Sequence, residues 1–151
     1  MLNDLDRRLL RHLQADPDQP VSQLAEAAGL PLASCYKRLE RLQAQGVIKG
    51  SRAAINWAAL GYSVEVSLRV TLDKTDPRAF DEFLAAAREV PEVIAIQTFL
   101  GVVDVRLSVI AQSMPHYQEV YRARILTLPH IADIEALMQV ATIKEAQSLP
   151  L

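Results

Sequence analysis

Leucines at positions 5, 9, 10 and 13 lie at spacings of three and four within LDRRLLRHL, so one face of a helix is apolar and the rest is charged. Asn3 or Asp4 is placed to cap its start. Leu24, Ala25 and Ala28 then share one face of a second helix, which Gly29 can end in a left-handed conformation. After Leu30 and Pro31, a third helix carries Leu32, Cys35, Leu39 and Leu42 inward and leaves Ser34, Tyr36, Lys37, Arg38 and Arg41 outward. Three short amphipathic helices in this order can bury one another's stripes, and a Gly-centred turn between the last two predicts a helix-turn-helix.

The period changes between Gly46 and Gly61. From Tyr62 the segment SVEVSLRVTL alternates strictly, with Val64, Val66, Leu68 and Val70 on one face and Glu65, Ser67, Arg69 and Thr71 on the other. Asp76 and Pro77 open a helix through Phe80, Phe83, Leu84 and Ala87 to Val90, and Pro91 stops it. VIAIQTFL and VVDVRLSVI, separated by little more than Gly101, predict an antiparallel hairpin. A helix from about Met114 to Leu128, carrying Tyr117, Val120 and Tyr121 on its stripe, and a strand from about Ile131 to Ile143 complete the order βαββαβ. That order predicts an antiparallel sheet with both helices on one face, a ferredoxin-like α+β fold. Ile94, Ile96, Val103 and Val105 make both faces of the hairpin read as apolar, which predicts face-to-face pairing of two copies. The expected division is a helix-turn-helix (winged-helix-like) domain over 1–50, a linker over 51–61 and a ferredoxin-like domain over 62–151.

Charge sharpens this picture. The whole chain has a formal net charge of −2, but residues 1–52 hold eight Lys and Arg against six Asp and Glu, so the basic character is local. An outward basic second helix of a helix-turn-helix enters the major groove of double-stranded DNA, with its early residues on base edges. Ser34, Tyr36 and Lys37 are the base-reading candidates, Arg38 and Arg41 the phosphate candidates, and Lys49 and Arg52 reach flanking phosphates. The bland alternative is a solvated surface helix with scattered cations.

Other chemistries find little purchase. No apolar run approaches the length of a membrane span, and MLNDLDRR lacks the apolar core of a signal peptide, so the expected compartment is the cytoplasm. The single Cys35 is expected to pack inside a reducing environment. His12, His116 and His130 are scattered, and no metal site or cofactor is expected from spacing. Asp73, Asp76, Glu119 and Glu145 read as turn, cap and surface residues. No phosphate loop, catalytic triad or paired-carboxylate pattern is present, so no enzyme is expected.

The pieces LDRRLLRHLQ, LASCYKRLERLQAQGVI and GVIKGSRAAINWAALGY, followed by LGVVDVRLSVIAQSMPHYQEVYRARILTLPHI, together resemble the Lrp/AsnC family of transcription regulators over essentially the whole chain. The resemblance implies a homodimer built through the C-terminal sheets, often assembled to tetramers or octamers, and an amino-acid effector held between C-terminal domains. The family's Gly-Asp-aromatic-Asp turn maps onto Gly101, Val102, Val103 and Asp104, with Leu100 beside it. Further effector positions map onto Met114, Leu137, Met138 and Gln139. Val102 replaces the usual Asp and Val103 the frequent aromatic, which removes a carboxylate that would receive an α-ammonium. Pro31 stands where a capping Ser is common. The same plan also resembles subunits of sirohaem decarboxylases, in which His116 or His130 would be the general-acid candidates. A third reading is a ligand-binding partner protein whose DNA helix is idle.

Overall fold

The computed structural model describes residues 2–145 and 148–151, and it divides into two compact units, Met1–Ala54 with Ile143–Leu151, and Ile55–Thr142.

In the first unit, α1 (Asp4–Ala15), α2 (Val21–Ala28) and α3 (Leu32–Ala44) enclose Leu9, Leu24, Ala28, Cys35 and Leu42. Asn3 caps α1 through a reciprocal pair with Asp6: its side chain accepts from the Asp6 N–H while the Asp6 carboxylate accepts from its own N–H. Gly29 ends α2 at φ +66°, the left-handed turn its sequence position predicted. Pro31 precedes α3 with no side-chain cap. Leu32 departs from expectation, being about half exposed, because it occupies the first position of α3, a turn before the helix reaches the core. Cys35 is fully buried, and that burial pushes its thiol pKa up.

The last residues also belong to this unit, although sequence order alone assigns them to the second domain. Arg11 Nε donates to the Leu151 carbonyl at 2.7 Å and the Leu149 N–H donates to Gln14 Oε1 at 2.7 Å, while Leu151 packs on the helical core. Of the tail QSLPL, Gln147 lies outside the described residues.

The second unit holds one antiparallel sheet, order β2-β3-β1-β4, built from β1 (Val64–Leu72), β2 (Val93–Thr98), β3 (Val105–Ala111) and β4 (Ile131–Met138). The helices α4 (Ala79–Arg88) and α5 (Met114–Val120) supply the other side of its core. Val66, Leu68, Val70, Val105, Leu107 and Val109 are fully buried together with Phe83, Ala87 and Ile125, so the alternation along β1 reports its faces correctly.

Several limits shift. The helix expected from Asp76 starts at Ala79, because the Asp76 carboxylate accepts from the Arg78 N–H and closes a turn around Pro77 first. The helix from Met114 runs into a π-helical turn, Tyr121–Ile125. The last strand stops at Met138, after which the Gln139 N–H makes one further bond to Glu65. The hairpin turn is longer than a single glycine, spanning 99–104 and closed by the Phe99 N–H on the Asp104 carbonyl. The helix-free face is also more polar than the apolar hairpin reading implied. In register across the sheet stand Gln97, Arg106, Arg69 and Glu135, with the Arg106 guanidinium donating to Gln97 and lying 5.9 Å from the Phe99 ring centre.

Candidate nucleic-acid interface and ligand region

The first unit presents α3 as an open, basic surface. Tyr36 is 55 % exposed and Lys37 is exposed beside it; the half-buried Ser34 lines a concave surface together with Pro31, Ala33, Lys37, Arg38 and Arg41. Lys49 and Arg52 are exposed and lie beyond α3, outside any regular element.

The two arginines differ from the free phosphate hands that spacing suggested. Arg38 Nη1 and Arg41 Nη2 both donate to Asp6 Oδ1, at 2.8 and 2.6 Å, and Asp6 is completely buried. Burial alone would raise the Asp6 carboxyl pKa and is the largest single influence. The Asn3 N–H, the Arg38 hydrogen bond and the charges of Arg41 and Arg38 together outweigh it and hold the group below the usual carboxylate range. Arg38 is mostly buried by this pairing, whereas Arg41 keeps 45 % of its side chain exposed and retains donors for an anion. Asp6 was missed by sequence reasoning because an acidic residue in a first helical turn already has an explanation as a cap and dipole partner.

In the second unit the ligand-region residues fall into two groups. Leu100, Gly101, Val102, Val103 and Asp104 form the β2–β3 turn, at the end of the sheet where β1 finishes. Leu137 and Met138 pair with Ser67 and Val66 near the opposite end, where Gln139 follows and where Met114 begins α5 after β3. Asp104 is held to Val70 by its N–H, so the groups are separated by about four residues of β1, or roughly 13 Å along the strand, with Leu137 and Met138 on β4, across β1 from the turn. One copy therefore does not gather these nine residues around one small ligand.

Asp104 is buried and already engaged. Its Oδ2 accepts from the Leu72 N–H at 2.9 Å and its Oδ1 from Lys74 Nζ at 2.8 Å. Burial, the largest influence, would raise its carboxyl pKa; the Lys74 hydrogen bond, the Leu72 N–H and the Lys74 charge reverse the sign and leave it lowered. Val102 and Leu100, by contrast, are almost fully exposed. Leu137, Met138 and Met114 are partly exposed, and Gln139 donates to Thr142 Oγ1 at 2.7 Å.

The two histidines of this unit stand at opposite ends of the sheet. His116 Nδ1 accepts from the Gln112 N–H at 3.1 Å and borders a cavity of about 210 Å³ shared with Trp57, Tyr62 and Glu92. Pockets for drug-sized ligands start near ~300 Å³, so this one is small for a tetrapyrrole. His130 lies 2.6 Å from Glu82.

A helix-turn-helix unit with an exposed basic second helix, joined in one chain to a ferredoxin-like sheet, defines the class of DNA-binding regulators with a ligand-binding domain. Residues 2–49 match the model for a winged helix-turn-helix DNA-binding domain, and residues 65–149 match the Lrp/AsnC ligand binding domain. The chain belongs to the Lrp/AsnC family and is a DNA-binding transcriptional regulator. It is 28 % identical to the DNA-binding transcriptional activator DecR of Escherichia coli K12, over 100 % of this chain and 99 % of that protein. It is 31 % identical to the proline dehydrogenase transcriptional activator of Rhizobium radiobacter, over 95 % of this chain and 92 % of that one. The solved feast or famine regulatory protein of M. tuberculosis, complexed with L-methionine, superposes with a TM-score of 0.86 at 28 % identity, covering 99 % of each chain. Nothing among these similarities supports the sirohaem decarboxylase reading.

Proposed function

We propose that this regulator reads double-stranded DNA with α3 of a homodimer and that a free amino acid adjusts its occupancy or assembly. Ser34, Tyr36 and Lys37 meet base edges, and Arg41, Arg38, Lys49 and Arg52 meet the backbone. The observation that carries this is the α3 surface: exposed Tyr36 and Lys37 beside an Arg38–Arg41 pair whose geometry a buried Asp6 fixes. Fixed guanidinium groups lose less entropy on meeting a phosphate than free ones.

The effector reading is supported by the L-methionine bound to the related feast or famine protein. The separation of the Leu100–Asp104 turn from Met114 and Leu137–Gln139 favours a pocket assembled from two copies, each giving one group of residues. That arrangement requires at least a dimer and is compatible with tetramers or octamers. The protein works without a cofactor or catalytic step in this reading, and in the cytoplasm; no helix among the described residues is long and apolar enough to cross a membrane.

The test is binding to the DNA upstream of the protein's own gene and to sites selected from random sequence, titrated across salt, with and without mixed amino acids. Specific binding with a log–log salt slope of about −0.9 per neutralised phosphate, shifted by an amino acid, is expected. Failure to select any preferred sequence would overturn the docking model, and an unchanged isotherm with all twenty amino acids would overturn the effector.

A further inference from the structure

We propose that Asp76, Glu82 and His130 form a binding site for a divalent transition-metal ion, of which Zn²⁺ suits the donor set best. One ligand atom from each residue lies within 4.8 Å of the other two, and His130 Nε2 is 2.6 Å from Glu82 Oε2. The three come from separate elements: the turn after β1, the first turns of α4, and the entry to β4. The first and last lie 54 positions apart in the sequence, which is why no local ligand spacing betrays them. All three are half-buried, and their side chains stay 22–42 % exposed, which leaves an entry path for an ion.

An imidazole nitrogen with two carboxylate oxygens is an N,O,O set that Zn²⁺ accepts, with a fourth position open to water or another ligand. Tetrahedral bonds of ~2.0–2.1 Å place neighbouring ligand atoms about 3.3 Å apart, so closure asks only for side-chain adjustment from the separations seen. Arg78 is the competitor: its guanidinium approaches Asp76 Oδ2 at 3.4 Å and Glu82 Oε1 at 3.5 Å. Both contacts are long and 73 % of the Arg78 side chain is exposed, so an ion displaces it without uncovering a buried charge. The ion would tie the start of α4 to both β1 and β4 and so stabilise that end of the sheet. It lies at the same end as the Leu100–Asp104 turn.

The experiment is calorimetric titration of the untagged, chelator-treated full-length protein with Zn²⁺, paired with thermal unfolding. One ion per chain and a raised Tm are expected. Losing an outer-shell partner alone typically costs ~10–100-fold in affinity, so Glu82→Gln and His130→Asn should each weaken binding by about 100-fold or more; Asn is chosen because residue 130 has φ +65°, which Asn tolerates. Arg78→Ala should tighten binding, whereas a mere ion-pair network would lose stability and gain no affinity for the ion. His116→Asn should change nothing. Absence of binding by the parent protein, binding that survives both ligand substitutions, or an unchanged affinity in Arg78→Ala overturns the site.

Discussion

Asp6 and Arg41 are joined at 2.6 Å through an oxygen that also receives Arg38, so one buried carboxylate ties α1 to both arginines of α3. Asp6→Ala removes a charge partner and half of the α1 capping pair. Breaking a fully buried ion pair costs roughly 3–5 kcal/mol, but Arg41 keeps 45 % of its side chain exposed, so a loss of about 2 kcal/mol in the first unit is expected. Denaturant unfolding measures it. DNA affinity should fall further than that of a surface control such as Glu40→Ala, because the guanidinium positions relax as well.

Lys37→Ala and Arg41→Ala should fail differently. A base-reading Lys37 gives up about 1–3 kcal/mol of discrimination between its site and a mutated site, with a small change in competitor binding. Arg41→Ala should weaken binding to all sequences alike and reduce the salt slope by about 1. Titrations on specific and scrambled duplexes at several salt concentrations separate the two, and a uniform loss for Lys37→Ala would move it to the backbone.

The Asp104–Lys74 pair predicts an acid response. The folded-state pKa of Asp104 is lowered, so its contribution is complete above the ordinary carboxylate pKa and disappears as pH falls through the folded value. Asp104→Asn should therefore be less stable near neutrality, by about 1–2 kcal/mol given that Lys74 is largely exposed. Its stability should decline less steeply as pH falls below the ordinary carboxylate pKa of about 4. Urea unfolding at a series of pH values checks both parts; parallel pH profiles for parent and variant would refute the assignment.

Val102→Asp introduces a carboxylate at a position that is 87 % exposed. Stability should stay within about ±0.5 kcal/mol, while affinity for a free amino acid rises, since the ammonium gains an unpaired acceptor that Asp104, already engaged by Lys74 and Leu72, does not offer. Calorimetry with L-methionine and L-leucine reads the change.

Local patterns carried most of the architecture into the sequence. The period-two run from Val64 to Val70 and the glycine at position 29 each correspond to one physical demand, burial of a sheet face and a left-handed turn. The exposed Tyr36 and Lys37 were legible for the same reason. Residues whose roles depend on distant partners were not. Asp6 looks like a helix cap until Arg38 and Arg41 are brought to it, Asp104 looks like a free acceptor until Lys74 arrives, and His130 looks solitary until Glu82 and Asp76 fold around it. Helix and strand ends moved by a few residues where a side-chain turn at Asp76 or a π-turn at Tyr121 competed with the regular ladder.

The distance between the Asp104 turn and Gln139 has a further consequence for a cell. In the proposed two-copy pocket, a ligand shared by both copies cannot be captured by one, so its uptake would be linked to encounter between subunits and its apparent affinity would rise with the amount of protein. A sensor built that way would answer to the product of two concentrations, the metabolite's and its own, and the same nutrient level would be heard differently in a cell holding few copies than in one holding many.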